Sequence, residues 1–439
     1  MIRMAPADAR SYWMADAIPN DQFLVYCFAD QGIPLTELAA HLRARAAGVD
    51  DLCLRIVDVP ASLDLPHWVG TTVRDDQVVV EASITGWGDC LDRLGALQAE
   101  QLDPRESAWR IRIFGPVVDA PRGPAVVVVL QICHALGDGR RTSSIARALF
   151  ADDVAPPRRP RVDRIPADVL ALGAAVRGAV VLPVRIGRML RRGFDAYREV
   201  RRHPPTAGAG YPPTVLNRRP GPARTLRVIV GDRAMVPSRH PVTVGALTAI
   251  SLALDEYLPA ETPIGAELTI GRSAGSLSRN NFRNAGIDLH TEIDDVGLRA
   301  DTIAEEVARA RAVDDEPARR AERRATDATP AVLARWGIRQ FDADVSPPTV
   351  TGVTVVSSVH RGPADLWLGG GEVLFTTGFP ALSPAQGLTH GVHGIGGALA
   401  ISVTTSPEVM PDVDRYVTLL RRALDQVSSV PASQSSPGP

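Results

Sequence analysis

Apolar residues in the first third of the chain follow strand-like and helix-like spacing in turn. An apolar run at 23–28 predicts a strand, and a helix through Leu38, Ala39 and Leu42 follows Thr36, a residue type that caps helices. Further along, the pattern predicts a strand at 78–84, a helix through Leu91, Leu94 and Leu97, and strands at 109–114 and 125–132. This part of the chain therefore mixes strands with amphipathic helices.

The chain after residue 222 repeats this style. Apolar spacing predicts a helix at 242–257 that opens at Thr243, a helix at 302–324 and a closing helix at 412–427. Strands are predicted at 225–230, 267–270, 287–293, 350–356, 372–377 and 399–403. Helices laid against a mixed sheet, twice over, predict an α+β protein of two lobes.

Two Pro-rich stretches, at 151–164 and 203–222, predict linkers. Between them, an apolar helix is predicted at 169–184, and an arginine-rich stretch follows it. Because Arg177 and Pro183 interrupt the apolar part, it is shorter than the roughly 20 residues that span a membrane. The segment is interpreted either as a crossover helix with a solvated arginine face, or as a basic helix that lies on an anionic membrane or binds an acidic carrier protein.

Composition and charge narrow the class of protein. The chain has 439 residues, more than one core usually holds, and 45% of them are apolar, which is ordinary globular usage. Its 48 basic and 50 acidic residues leave a net charge of -2, which gives no general attraction for nucleic acid. Every basic residue is arginine, so a lysine nucleophile, a Schiff base or a P-loop lysine is excluded.

The cysteines and the chain ends bear on the compartment. Cys27, Cys53, Cys90 and Cys133 are far apart and form no C-x-x-C pair, which favours reduced thiols over a disulfide framework. The first ten residues lack the apolar run of a secretory signal. We therefore expect a cytoplasmic protein, and a monomer, with a disordered Ser/Pro-rich tail at 429–439.

The candidate catalytic residue is His134, which lies four residues before Asp138 and five before Gly139. The β-branched run at 125–132 predicts a strand buried on both faces, so His134 lies on a loop between that strand and a helix at 145–150. The pKa of histidine lies near neutrality, so such a side chain can act as a general base toward an alcohol or an amine. From the residues alone, a structural loop histidine beside a turn-capping aspartate is an equal alternative.

The pattern His-x-x-x-Asp-Gly resembles the active-site motif of the CoA- and carrier-dependent acyltransferase superfamily. That superfamily includes chloramphenicol acetyltransferase, condensation domains, and wax ester synthase/diacylglycerol acyltransferase proteins, the group most similar to this chain. Supporting segments occur in the family's order at 15–24, 242–247, 268–273 with Asn280 and Asn281, 355–363 and 386–388.

The resemblance implies an α+β fold of two chloramphenicol-acetyltransferase-like lobes, each a mixed sheet flanked by helices, with a central substrate tunnel. The expected organisation is an N-terminal lobe at 1–155 that carries the motif, a crossover linker with the basic helix at 156–222, a C-terminal lobe at 223–428, and the tail at 429–439.

The resemblance also implies roles for individual residues. His134 matches the catalytic base, and Asp138 and Gly139 match the structural part of the motif. Asp138 is expected to form an ion pair with Arg272, because a buried carboxylate needs compensation. Four polar residues are placed toward the tunnel as substrate-binding candidates, although as plain sequence they read as ordinary exposed residues: Asn281, Ser357, Ser358 and Gln386.

Three features depart from the family or stand outside it. Cys133 precedes His134 where relatives commonly carry a second histidine, and we interpret it as a small buried spacer. His390 and His393 lie among glycines that indicate a flexible turn, and no third ligand suggests a metal site. The run 369–371 of three glycines is interpreted as a hairpin turn.

The implied activity is transfer of an acyl group from a CoA or carrier-protein thioester to a hydroxyl or amine, in lipid or secondary-metabolite biosynthesis. The expected partners are a small-molecule acyl donor and acceptor, an acyl- or peptidyl-carrier protein, and a membrane surface touched by 166–202. No metal, permanently bound cofactor or nucleic acid is expected. A catalytically inactive relative that binds a carrier or a partner enzyme is the alternative, and thioester hydrolysis is a third possibility.

Overall fold

The computed structural model describes residues 1–81, 83–151, 166–204, 210–236, 239–259, 263–272, 278–313, 316–345 and 347–430. Within these ranges the α-helices are α1 Pro6–Met14, α2 Leu35–Ala46, α3 Trp87–Leu97, α4 Gly139–Phe150, α5 Ala167–Arg202, α6 Val242–Tyr257, α7 Val296–Ala312, α8 Pro317–Asp327, α9 Ala331–Arg339 and α10 Val413–Ser428. The strands are β1 Ile2–Arg3, β2 Gln22–Ala29, β3 Leu54–Val57, β4 His67–Gly70, β5 Val78–Glu81, β6 Trp109–Val117, β7 Ala125–Ile132, β8 Thr225–Asp232, β9 Gly265–Gly271, β10 Phe282–Asp288, β11 Thr354–His360, β12 Trp367–Leu368, β13 Gly371–Gly378, β14 Leu388–Ile395 and β15 Ala398–Thr405.

The strands form two large sheets and one small one. The first sheet has the order β12-β13-β2-β7-β6-β5 and the second has the order β10-β9-β11-β14-β15-β8, while β1, β4 and β3 form the small sheet. Both large sheets are mixed: β5 is parallel to β6 in the first, and β11 is parallel to both neighbours in the second. The predicted α+β fold with two lobes is therefore confirmed.

The sheets do not divide at one point of the sequence. The predicted boundaries place all of 223–428 in the C-terminal lobe, but β13 pairs with β2 and so belongs to the first sheet. The glycine hairpin expected at 369–371 does join β12 to β13. The second half of the chain thus completes the sheet of the first half, which fixes the two lobes against each other.

Strand β7 explains how the first lobe positions its loop. All eight of its residues are buried. Because side chains alternate across a strand, Val126 and Val128 pack in the core on one face, and Val127 and Val129 pack in the core on the other. The β-branched run therefore forms the two-sided strand that its sequence predicts, and His134 lies two residues beyond its end.

The stretch around His390 and His393 is not a flexible turn. It forms β14, an interior strand of the second sheet in which every residue except Gly394 is buried. A Cβ on Gly391 would lie 2.5 Å from the carbonyl oxygen of Gly378 in β13. The glycines therefore permit the two sheets to approach closely, which is a packing requirement that resembles a turn signal in the sequence.

Other differences from the predicted elements have local causes. Strand β10 begins at Phe282, whereas the pattern suggests 287, because this edge strand is mostly half-buried and shows no apolar run. The helix predicted at 302–324 is two helices, α7 and α8. Helix α2 begins after Pro34 without a side-chain cap, so Thr36 does not cap it.

Helix α5 is one continuous helix of 36 residues that runs through Pro183. It is the one helix in the described parts of the chain that is long and apolar enough to cross a membrane by length and composition, contrary to the length estimate from its sequence. Small residues bury one face against the body, and Arg185 pairs there with the buried Asp64 at 3.0 Å. All of the linker predicted at 151–164 except Ala151, and the predicted tail beyond residue 430, lie outside the described residues.

Candidate active site

A cavity of about 1140 Å³ lies between the two large sheets. Strands β2, β9 and β11 contribute to its walls, together with the start of α4 and the loop that follows β13. Six of the predicted site residues line it: His134, Asp138, Gly139, Ser357, Ser358 and Gln386. Arg272 and Asn281 instead line a separate cavity of about 500 Å³.

The loop that carries His134 is held tightly between the lobes. After β7 the chain makes a short 3-10 turn at His134–Leu136 and then enters α4 at Gly139. A Cβ on Gly139 would lie 2.8 Å from Cγ2 of Val359 in β11, so any other residue would require the Val359 side chain to shift. Gln22 of β2 donates a hydrogen bond of 2.5 Å to the carbonyl of Gly137.

Asn280 fixes the tautomer of His134. The Asn280 amide nitrogen donates to the carbonyl oxygen of His134 at 2.8 Å and to Oδ1 of Asp8 at 3.2 Å. Because both partners are acceptors, the amide oxygen must be the atom that lies 3.0 Å from Nδ1 of His134. Nδ1 therefore carries the proton, and Nε2, which has no hydrogen-bond partner among the described residues, holds a free lone pair in a side chain that lines the cavity.

Asp8 in turn orients Asn280. This buried carboxylate, in the first turn of α1, also accepts hydrogen bonds from Ser278 Oγ at 2.7 Å and from the backbone nitrogens of Arg279 and Asn280 at 3.0 and 2.8 Å. Asp8, Asn280 and His134 thus form a hydrogen-bonded chain that ends at the cavity. Neither Asp8 nor Asn280 is among the predicted site residues, although Asn280 belongs to the Asn-Asn pair that carries part of the resemblance.

The surroundings keep His134 neutral. Burial lowers the pKa of its imidazole below the ordinary value, and the hydrogen bond that Nδ1–H donates to Asn280 and the carboxylates of Asp138 and Asp8 oppose that shift in part. The ring also stacks loosely against Phe282, with centroids 5.5 Å apart. A neutral imidazole with a fixed proton on Nδ1 is the form that can accept a proton at Nε2.

Asp138 is stabilised differently from the prediction. Its side chain accepts hydrogen bonds of 3.1 Å from the backbone nitrogens of Arg140, Arg141 and Asn281. It is the N-cap of α4. Among the described residues it forms no ion pair with Arg272, because three peptide N–H groups and the positive end of the helix dipole already compensate the carboxylate.

Segment 278–281 docks the second lobe onto this loop. The backbone nitrogen of Asp138 donates to the carbonyl of Arg279 at 3.0 Å. The Arg279 guanidinium pairs with Asp51 at 2.8 Å, and Arg141 of α4 pairs with the same carboxylate at 2.9 Å. The geometry of the candidate base therefore depends on both lobes at once.

The remaining candidate residues fall into two groups. Ser358 shares a hydrogen bond of 2.8 Å with Thr243 at the start of α6, and Gln386 donates to Glu267 at 3.1 Å, so both are held in place on the cavity wall. Asn281 contributes its backbone nitrogen to Asp138, which is a structural role. Cys133 is fully enclosed, and burial raises the pKa of its thiol far above the ordinary value, which fits a spacer and not a nucleophile.

His390 and His393 do not converge on a common ligand position. Residues three apart on a strand point to opposite faces, and the imidazole of His390 is hydrogen-bonded to Thr354 and Tyr416, both at 2.8 Å. Away from the cavity, ligand atoms of Asp288, His290 and Glu292 lie within 4.8 Å of one another, a spacing that can hold a metal ion. The expectation of no metal site therefore stays a prediction.

Part of the chain matches a known protein family. Residues 279–428 match the family model of the WS/DGAT C-terminal domain. A comparison with curated proteins found no match to the chain.

Solved structures share the fold over nearly the whole chain. The wax ester synthase/diacylglycerol acyltransferase from Marinobacter aquaeolei VT8 superimposes with a TM-score of 0.65 and 16% sequence identity, over 97% of this chain and 98% of that one. A variant of the starter condensation domain of rhizomide synthetase RzmA, in complex with C8-CoA and Leu-SNAC, gives 0.58 and 13% over 97% and 93%. The condensation domain of the Monacolin K polyketide synthase MokA gives 0.55 and 14% over 98% of both chains. The resemblance in the sequence is therefore confirmed: residues 279–428 match the WS/DGAT C-terminal domain, and the chain has the two-lobed fold shared by wax ester synthases and condensation domains.

Proposed function

We propose that this protein transfers an acyl group from a CoA or carrier-protein thioester to a hydroxyl or amine acceptor, with His134 as the general base. The observation that carries the proposal is the tautomer that Asn280 imposes on His134, which leaves the Nε2 lone pair of a cavity-lining imidazole free. The RzmA domain of the same fold is crystallised with C8-CoA, which supports an acyl-CoA donor here.

The chemistry needs one proton shuttle. Nε2 of His134 takes the proton from the acceptor as its oxygen or nitrogen attacks the thioester carbonyl. When the tetrahedral intermediate collapses, the C–S bond breaks, and the imidazolium returns the proton to the departing thiolate. The products are an ester or amide and a free thiol, and His134 is neutral again.

The cavity can accommodate both substrates. Ligand sites for small molecules usually enclose about 300–1,000 Å³, and this one is about 1140 Å³. Its walls come from both lobes, so an acyl chain and an acceptor can meet beside His134. An acyl chain would lie against apolar wall residues such as Leu268, Ile270 and Val355.

The test is thiol release from a panel of acyl-CoA thioesters, with and without alcohols and amines. We expect release that depends on an acceptor, and a loss of roughly 10²- to 10⁴-fold in turnover for His134→Ala. His203→Ala is the matched control, because His203 is exposed at the end of α5, away from the cavity. Parental turnover in His134→Ala contradicts the assignment of the base.

The other outcomes separate the alternatives. Release without any acceptor indicates hydrolysis. If no acyl-CoA releases thiol and an acyl-carrier thioester also fails, the protein is a binding module, as in the alternative interpretation of the sequence. Turnover with the carrier thioester alone identifies a carrier protein as the donor.

We further propose that α5 attaches the protein, in the cytoplasm, to an anionic membrane surface. Large apolar side chains on α5 are exposed at intervals of three or four residues, opposite the face of small residues that packs on the body: Val169, Leu172, Val176, Val180 and Val184, then Leu190, Phe194 and Tyr197. Arg177 and Arg185, in the middle of the helix, pair with Asp64 of the body, which favours a helix that lies on the bilayer over one that crosses it.

Vesicle co-sedimentation tests this attachment. We expect binding to phosphatidylglycerol-containing vesicles that weakens with salt, because the C-terminal half of α5 is rich in arginine. The double variant Val180→Asp/Phe194→Asp should lose binding, whereas Val118→Asp, at an equally exposed valine outside α5, should keep it. Equal binding by all three proteins contradicts the proposed contact.

A further inference from the structure

We propose that Arg361 and His393 form an anion-binding subsite in the central cavity, which selects an acyl donor or an acceptor that carries a carboxylate. The inference rests on the proposed acyl transfer for its meaning, but the subsite is argued from its own contacts. It would make the protein selective for a charged substrate.

Arg361 is a buried guanidinium without a counter-charge. Its exposure is 4%, and it lines the cavity just after β11. Among the described residues no carboxylate pairs with it, and its Nε has no hydrogen-bond partner. Its Nη1 makes a long hydrogen bond of 3.4 Å to Ser143 Oγ, and its Cζ lies 5.6 Å from the centre of the Tyr26 ring.

Such a group is costly unless something compensates it. An isolated charge in an apolar environment loses its hydration, so buried arginines are normally paired with carboxylates or bind a ligand. The neighbouring Arg147 adds positive charge but is already paired with Asp365 at 2.5 Å. The stacking on Tyr26 compensates only part of this cost, since a cation–π contact contributes about 2 kcal/mol when desolvated.

His393 lies beside Arg361 on the same wall. In the parallel pairing of β11 and β14, His393 is the register partner of Val359, two residues before Arg361. Its exposure is 5%, it lines the cavity, and its Nδ1 has no hydrogen-bond partner among the described residues. Burial and the charge of Arg361 lower its pKa well below the ordinary value, so it is a neutral donor and not a second charge.

The subsite lies within one substrate length of His134. Gly139 is the first residue of α4 after the loop that carries His134. Ser143, which accepts a hydrogen bond from Arg361, lies one helical turn further along α4, about 6 Å from Gly139. A substrate held by Arg361 can therefore extend along α4 toward the imidazole. A carboxylate suits this position because a guanidinium binds it through two parallel hydrogen bonds.

The first experiment measures binding without catalysis. The full chain is titrated calorimetrically with hexanoate and with hexanamide, which differ in charge and not in length. We expect hexanoate to bind roughly 10- to 100-fold more tightly, the range for a charge-assisted hydrogen bond. We expect Arg361→Met to abolish that difference and Arg361→Lys to keep part of it. Arg335→Met is the matched control, because Arg335 also donates to a serine hydroxyl, Ser62 at 3.0 Å, but does not line the cavity.

The second experiment identifies which substrate carries the charge. Succinyl-CoA is compared with butyryl-CoA as donor, and 4-hydroxybutyrate with 1-butanol as acceptor. Arg361→Met should raise KM for the charged partner by roughly 10- to 100-fold, and should raise it clearly more than KM for the neutral partner. Selectivity in the donor pair locates the carboxylate on the acyl group, and selectivity in the acceptor pair locates it on the nucleophile.

Several results overturn the subsite. Equal binding of hexanoate and hexanamide by the wild-type protein does so without any variant, which matters if Arg361→Met fails to fold. Equal losses for charged and neutral ligands in Arg361→Met show that Arg361 only supports the wall. Charge-selective binding that persists in an inactive His134→Ala protein supports the subsite on its own, whereas turnover without charge selectivity supports acyl transfer and refutes the subsite.

Discussion

Replacing Asn280 tests the hydrogen-bonded chain on which the proposed base depends. Asn280→Ala removes the acceptor of the Nδ1–H of His134, at 3.0 Å, and the two donations of the amide to the His134 carbonyl and to Asp8. Asp8 keeps three other donors, so its carboxylate is not stranded. The main loss is therefore at His134, where both neutral tautomers become available.

The magnitude follows from the bond that is lost. An unsatisfied donor in a half-buried site costs about 1–3 kcal/mol, and this is the free energy that holds the proton on Nδ1. Each 1.36 kcal/mol of barrier is tenfold in rate, so kcat should fall roughly 5- to 150-fold. The KM values should change little, because Asn280 does not line the central cavity.

The assay is acceptor-dependent thiol release measured against pH. In the wild-type protein the acid limb should lie below pH 6.5, since burial lowers the pKa of His134 and the neutral form is the active one. Asn280→Asp should move that limb to higher pH, because a carboxylate beside Nδ1 favours the imidazolium. Asn281→Ala, a neighbouring amide that retains the backbone bond to Asp138, is the control. Parental kcat and an unshifted profile in both Asn280 variants would refute the tautomer argument.

Three further predictions concern Asp138, Gly139 and His390. Asp138→Ala should lower the free energy of unfolding by about 0.5–2 kcal/mol, whereas Asp138→Asn should retain most of the cap; equal thermal shifts would argue for a charge-dependent role. Gly139→Ala should reduce turnover because its Cβ would lie 2.8 Å from Val359, and adding Val359→Ala to the same chain should restore part of that turnover. The control Gly173→Ala, whose Cβ would have nothing within 4 Å, should leave turnover unchanged. Burial lowers the pKa of His390 from 6.5 to about 3, so between these values the unfolded state binds more protons and the free energy of unfolding falls as the pH falls. His390→Gln should flatten that acid limb in chemical denaturation, and parallel curves for the two proteins would contradict it.

The parts of the fold that the sequence predicts are those whose packing is local and periodic. Strand β7 and helix α6 have the predicted bounds because each has an uninterrupted apolar pattern. The pattern places the start of β10 five residues too late, because the residues of this strand are mostly half-buried. It also predicts a turn where β14 lies, because the glycines of β14 serve a contact with another sheet. The pairing of β13 with β2 joins positions about 350 residues apart, which no local pattern records.

The candidate site shows the same division. The sequence identifies His134 because its motif is contiguous and follows a strand, so its place at a cavity wall can be inferred from neighbours in the sequence. Asn280 lies 146 residues after His134, and Asp8 lies more than a hundred residues before it. The docking of segment 278–281 brings these three residues together. Arg361 belongs to segment 355–363, which carries part of the resemblance, but the sequence gives no indication that this arginine is buried or lacks a carboxylate partner.

The contacts of Asp138 explain why the expected ion pair with Arg272 does not form although the His-x-x-x-Asp-Gly motif is present. A carboxylate at the start of a helix needs compensation, but any donors in reach can supply it, and here three peptide nitrogens from two lobes do so. Peptide nitrogens are present whatever the side chains are, so the compensation of this carboxylate does not require an arginine at position 272. It does require the aspartate at position 138. The constraint falls instead on backbone positions: Asn281 must present its N–H to Asp138 for Asn280, one residue earlier, to present its amide to His134. One docking segment thereby fixes both the loop that carries the base and the proton that makes it a base.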